Sequence, residues 1–119
     1  TYDVERSDGR LVLLRTTEIQ GGANEGATKV DNIQRAFGRR PALAAGNSPG
    51  DAEMLEYTST GPGPRLAVLV DHDDADREYS YESEAGSFVA AESVTDTARR
   101  LGWTQVSMRE DWASVFVSR

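Results

Sequence analysis

The chain contains no cysteine, so no disulfide and no thiolate metal site can form within it. Its single histidine, His72, excludes a metal centre built from several imidazoles. Long apolar runs are missing as well. The longest, Leu66 to Val70, is far too short to span a bilayer. No secretory leader is visible, and a cytoplasmic location is the expectation. Positive charge is in deficit: 13 Lys and Arg against 20 Asp and Glu give a net charge of −7. A surface of that sign repels nucleic acid and anionic membranes, so neither is an expected partner.

What is present is ordinary for a folded domain. Hydrophobic residues make up 38% and charged residues 28% of the 119, too apolar a mixture for a disordered chain. That length supports one small domain. The chain starts at Thr1 rather than methionine and runs at once into strand-like sequence, which reads as a cut chain.

Tyr2–Arg6 and Leu11–Arg15 flank Ser7-Asp8-Gly9-Arg10. An Asp-Gly pair between apolar runs signals a β-hairpin, because both central positions tolerate positive φ. The Gly21–Gly26 segment is a loop, and a helix follows over Ala27–Phe37 with Gly38 as its C-cap. Pro41–Ala45 has strand length. After it Ser48 is placed as an N-cap, Pro49 at the first helical position and Asp51 three residues past the cap, opening a helix to about Tyr57. Leu66–Val70 is apolar on both faces, as a central parallel strand should be. Asp71–Asp76 is an acidic turn in which Asp73 and Asp74 read as first-turn acids of a short helix. Ser93–Leu101 is a helix closed by Gly102, Thr104–Met108 a last strand, and Asp111–Phe116 a terminal helical turn or tail. Trp103, Trp112 and Phe116 read as core or edge packing. Alternation of this kind implies an α/β fold with a largely parallel sheet, whose ligands sit beyond the carboxyl ends of the strands.

Those ends are Gly46-Asn47 and Asp71-His72. Lys29 is the odd residue nearby. It lies in the first turn of its helix, where the macrodipole disfavours a cation, and close to the Val30/Ile33/Phe37 stripe. Either an anion meets it, or it snorkels off the edge of the apolar face. The Gly46–Asp51 turn offers backbone N–H groups and oxygen ligands suited to a hard cation such as Mg²⁺, or else a capping box and nothing more. His72 is a candidate for facing substrate. The glycine loop lacks the Gly-Lys-Ser/Thr of a phosphate-binding loop. Gly46-Asn47-Ser48-Pro49-Gly50 matches a nucleophile elbow in letters, but Pro49 would remove one oxyanion N–H from its usual place.

Three segments taken in order resemble the haloacid dehalogenase-like hydrolases. Asn24–Val30 resembles their third motif, where a lysine opens a helix. Arg39–Leu55 resembles their fourth, a strand followed by Gly-Asp/Asn-Ser-x-x-Asp. Leu101–Phe116 looks like the tail of a bacterial subgroup akin to phosphoserine phosphatases. The resemblance implies a partial Rossmann-like, mostly parallel sheet with flanking helices plus the N-terminal β-hairpin, with residues 1–119 forming the C-terminal half of the core domain. It also implies Mg²⁺-dependent hydrolysis of a small phosphorylated substrate through an aspartyl-phosphate. Lys29 would hold phosphate and nucleophile together, with Ser48 and His72 as further phosphate- or substrate-side candidates. Asn47 and Asp51 would stand on the metal side.

The nucleophile's Asp-x-Asp strand, the second-motif Ser/Thr and the cap are not found. Asp71-His72-Asp73 has the nucleophile spacing but the wrong chain order. The missing N-terminal half of the same enzyme is therefore an expected partner, and the fragment alone is expected to be inactive. Asn47 is neutral where many relatives carry Asp, which weakens its pull on a cation. A non-catalytic module that keeps the fold and binds a partner or small anion is the alternative, and a serine hydrolase acting through Ser48 a third reading.

Overall fold

The computed structural model describes residues 1–18, 21–81 and 92–115. Two strands, β1 (Tyr2–Ser7) and β2 (Arg10–Arg15), form the antiparallel hairpin expected from Asp8-Gly9. Asp8 and Gly9 take φ of 49° and 76°, the paired positive values that a tight two-residue hairpin turn needs. Val4 faces Leu13 across the ladder, yet every residue of β1 and all of β2 but Val12 are exposed.

The rest is mixed α/β. Helix α1 (Gly26–Phe37) precedes β3 (Leu43–Gly46). Next come a short 3₁₀ turn (Pro49–Asp51), α2 (Ala52–Ser59), β4 (Leu66–Asp71), α3 (Val94–Leu101) and β5 (Thr104–Ser107). The three strands form a parallel sheet in the order β3-β4-β5. Helix ends follow the local chemistry. Gly38 and Gly102 adopt left-handed φ and close α1 and α3, and the Ser93 hydroxyl accepts from the Asp96 N–H at the start of α3.

Alternation along the strands puts Ala44, Ala67 and Leu69 on one face. There they meet Leu55 of α2, Val94 and Ala98 of α3, and Trp103. Leu55 and Leu69 are fully buried, each contributing about 1.5–3 kcal/mol relative to exposure. The opposite face carries Leu43 and Leu66, both exposed, with Val68, Val70 and Val106 half-buried. The expectation that β4 is apolar on both faces holds for its side chains, but only one face is fully covered among the described residues.

Several local expectations are corrected. The helix expected from Pro49 to Tyr57 begins as a 3₁₀ turn, with α-helix only from Ala52. The Val30/Ile33/Phe37 stripe is half-buried at its first two positions and 72% exposed at Phe37. Asp73 and Asp74 do not open a helix. The chain makes a non-helical turn because their carboxylates bond to Ser107, Arg109 and Arg77 instead. Of the two readings of the terminal segment, residues 111–115 form a tail of bends and not a helical turn, and Phe116 lies outside the described residues. Trp103 is core, its indole N–H donating to Ser59 Oγ at 3.1 Å, whereas Trp112 is exposed.

Candidate functional site

The carboxyl ends of β3 and β4 lie side by side, with Gly46 opposite Leu69 in the ladder. The turn after β3 folds back on itself because Asp51 accepts from three donors of that turn. Its Oδ2 takes the Asn47 N–H at 3.0 Å, the Ser48 N–H at 3.3 Å and the Ser48 hydroxyl at 3.3 Å. The capping contact read from the spacing is therefore present. Gly46 makes room for it. A Cβ there would lie 2.5 Å from Asp51 Cβ and 2.7 Å from Asp51 Cγ, closer than real atoms approach.

The remaining oxygen, Asp51 Oδ1, meets the Lys29 ammonium in an ion pair. Helix α1 thus brings its first-turn lysine onto the turn after β3. The anion that the helix position calls for is Asp51 itself. Burial raises the proton affinity of the Asp51 carboxyl. The Lys29 hydrogen bond, the Asn47 N–H, the Lys29 charge and the Ser48 N–H together outweigh that, so its pKa lies below the ordinary carboxylate value.

Asn47 is the third member. Its side-chain Nδ2 donates to the Tyr81 hydroxyl at 2.6 Å and lies 3.4 Å from His72 Nε2. On its other side the imidazole presents Nδ1 to the Glu78 carboxylate, at 3.0 and 3.1 Å from the two oxygens. The Tyr81 ring stacks on it at 4.6 Å with 20° between planes. The structure thus brings Lys29, Asn47, Ser48, Asp51 and His72 to one edge of the sheet. Ser48 is the least available of these, because its hydroxyl already donates to Asp51. Glu78 and Tyr81 were not singled out from the sequence. No spacing marks them, since they follow an irregular turn rather than a periodic element.

The acidic run after β4 is built differently. Asp73 accepts from the Ser107 hydroxyl at 2.6 Å and the Arg109 N–H at 3.0 Å. Asp74 is 2% exposed and pairs with Arg77, whose guanidinium also donates to the carbonyls of Met108, Arg109 and Trp112. A groove of about 720 Å³ lies at the other end of β3, lined by Ile33, Phe37, Arg39, Leu43, Met54 and Arg65 among others. It is remote from the cluster.

For a hard cation the oxygens of the turn after β3 are Asn47 Oδ1 and the Asp51 carboxylate, while the Glu78 carboxylate of the same cluster is turned to His72. Among the described residues no group of three or more His, Asp and Glu side chains is arranged to hold a metal ion. No helix among them is long and apolar enough to cross a membrane. Comparison with models of known protein families gave no match, and a search of curated proteins gave none either.

Proposed function

We propose that this chain is the C-terminal part of a haloacid dehalogenase-type core domain with a partial Rossmann-like sheet, and that it serves a cytoplasmic Mg²⁺-dependent phosphomonoesterase. The observation that carries the reading is the meeting of Lys29, Asn47 and Asp51, from two separate segments, at the carboxyl edge of a parallel sheet. The half-covered sheet face supports it too, since a doubly wound sheet is covered on both sides.

In this reading Lys29 binds an oxygen of the substrate phosphate while Asp51 fixes the lysine's position. Asn47 Oδ1 is the donor best suited to Mg²⁺, since the Asp51 carboxylate is already engaged by Lys29 and the turn. Bound Mg²⁺ would neutralise phosphate charge, and its remaining ligands would be phosphate, water and groups outside these residues. The aspartate nucleophile and the general acid/base also come from outside them. His72 stands beside Asn47 on the substrate side.

A second reading has its own support. Both Asp51 oxygens are satisfied internally, and the other carboxylate of the cluster, Glu78, is engaged by His72. A module that keeps the fold and binds a small anion or partner without catalysis fits those facts.

The two readings separate on the protein encoded by the complete reading frame. The enzyme reading expects an Asp-x-Asp strand there and hydrolysis of p-nitrophenyl phosphate that stops when Mg²⁺ is chelated. The 119-residue chain by itself should show no turnover. A complete protein without that strand, or with it and without turnover, leaves the binding module.

A further inference from the structure

Asn47 is held by more contacts than a turn residue needs. Its Nδ2 carries two hydrogens, and both have acceptors: the Tyr81 oxygen at 2.6 Å and His72 Nε2 at 3.4 Å. His72 Nε2 can accept only if the ring proton sits on Nδ1. The Glu78 carboxylate, 3.0 and 3.1 Å from Nδ1, fixes that tautomer by accepting it. Stacking of Tyr81 on the imidazole at 4.6 Å keeps the ring plane in register. Rotating the carboxamide by half a turn would set Oδ1 against the Nε2 lone pair and lose both donations. With a neutral imidazole the carboxamide therefore has one favoured orientation, and in it Oδ1 has no partner among the described residues.

His72 and Glu78 are largely shielded from water, with side chains 21% and 12% exposed. A shielded imidazole–carboxylate pair aimed at an amide is more than the fold requires, since neither residue belongs to the hydrophobic core. We propose that Glu78, His72 and Tyr81 are positioning residues that lock the Asn47 carboxamide so that Oδ1 is reserved as a ligand for a hard divalent cation. The cation role rests on the metal-side reading of Asn47 given above. The lock itself rests only on the hydrogen-bond geometry. Outer residues of this kind orient a ligand without touching the ion.

The test is side-chain amide spectroscopy of the ¹⁵N-labelled protein, with the Asn47 pair assigned by its loss in Asn47→Asp. His72→Ala should speed solvent exchange of one Asn47 amide proton by about fivefold, the effect of one lost hydrogen bond. Tyr81→Phe should do the same to the other proton. His72→Gln, whose side-chain oxygen can accept where Nε2 did, should restore slow exchange, which separates a lock from general loosening. Titration with Mg²⁺ alone should shift the Asn47 pair in the unmodified protein. Its affinity should fall by about tenfold in His72→Ala and recover in His72→Gln. Equal exchange rates in His72→Ala and the unmodified protein overturn the lock. An Asn47 pair that ignores Mg²⁺ overturns the cation role, and with it the metal side of the proposed function, even where the exchange results stand.

Discussion

Two loops leave the same edge of the sheet from neighbouring parallel strands, and they use acids in opposite ways. The loop after β3 has one carboxylate, Asp51, gripped by a lysine and by its own turn. The loop after β4 has Asp73, Asp74 and Asp76, directly after Asp71 at the strand end, and looks the richer in metal ligands. Yet Asp73 bonds across to the loop after β5, and Asp74 anchors Arg77, which grips that loop's carbonyls. Both have lowered pKa values. At Asp73 burial acts against the lowering, and the Ser107 hydroxyl and Arg109 N–H prevail. At Asp74 the Arg77 hydrogen bond is the main cause. The density of carboxylates is thus a poor guide to ligand capacity. What matters is which oxygens remain once the backbone and the arginines have been satisfied. Asp73 and Asp74 are committed in this way, whereas the sparser loop sets Asn47 Oδ1, uncommitted among the described residues, beside the Lys29–Asp51 pair, and that juxtaposition makes it the better candidate site.

The largest expected effect comes from a pair of substitutions in the protein encoded by the complete reading frame, under the proposed phosphomonoesterase reading. Lys29→Met keeps the aliphatic stem and deletes the ammonium. It should lower turnover on p-nitrophenyl phosphate by roughly a hundredfold or more, about 3–4 kcal/mol of transition-state stabilisation. Asp73→Asn should leave turnover unchanged and lower the melting temperature, because it disturbs only the tie to Ser107 and Arg109. Steady-state kinetics and thermal melts on both variants decide the matter. The reverse pattern would move the site to the loop after β4.

A smaller effect is expected at Gly46. An added methyl would lie 2.5 Å from Asp51 Cβ and 2.9 Å from its Oδ2, so the turn must open. Gly46→Ala should destabilise the fold by about 1–3 kcal/mol, the usual range for overpacking. It should also loosen the Asn47 and Ser48 N–H bonds to Asp51, visible as faster amide exchange at those two positions. A melting temperature equal to that of the unmodified protein would mean that the turn is not as tightly closed as the comparison requires.

Much of the architecture was legible because its signals are local. Asp8-Gly9 marked the hairpin, Gly38 and Gly102 marked helix ends, and the apolar run Leu66–Val70 marked the central strand. The Ser48–Asp51 spacing gave the capping contact but not the 3₁₀ turn, whose tightness reflects Asp51 reaching back over Gly46. The site was legible only in part. Lys29 stood out by its helix position and Asp51 by its spacing from Ser48, while Asn47 was marked through the family resemblance. Glu78 and Tyr81 did not stand out, because they reach Asn47 through an irregular chain path that no period describes. The acidic run was misread as a helix start for the same reason. First-turn acids and acids that bond to a distant loop have identical sequence patterns, and only the position of Ser107 and Arg109 tells them apart.

The gentlest test of the two loops is acid titration of stability. Asp51 has a folded pKa below its unfolded value, so it contributes stability in full above the unfolded value, about 4 for an aspartate. That contribution is lost as pH falls through the lower, folded value. Asp73 behaves with the same sign. The causes differ in kind, and so should the response to mutation. Lys29→Met removes both a hydrogen bond and a nearby positive charge from Asp51 while leaving the burial that opposes ionisation. The folded pKa should rise, and acid unfolding should begin at higher pH. Ser107→Ala removes one hydroxyl from Asp73 but leaves the Arg109 N–H in place on a more open carboxylate. Its shift should be in the same direction and smaller. Unfolding followed by circular dichroism from neutral pH downward measures both. If Ser107→Ala moved the acid transition further than Lys29→Met, the tightly held carboxylate would be the one after β4, and the ranking of the two loops would reverse.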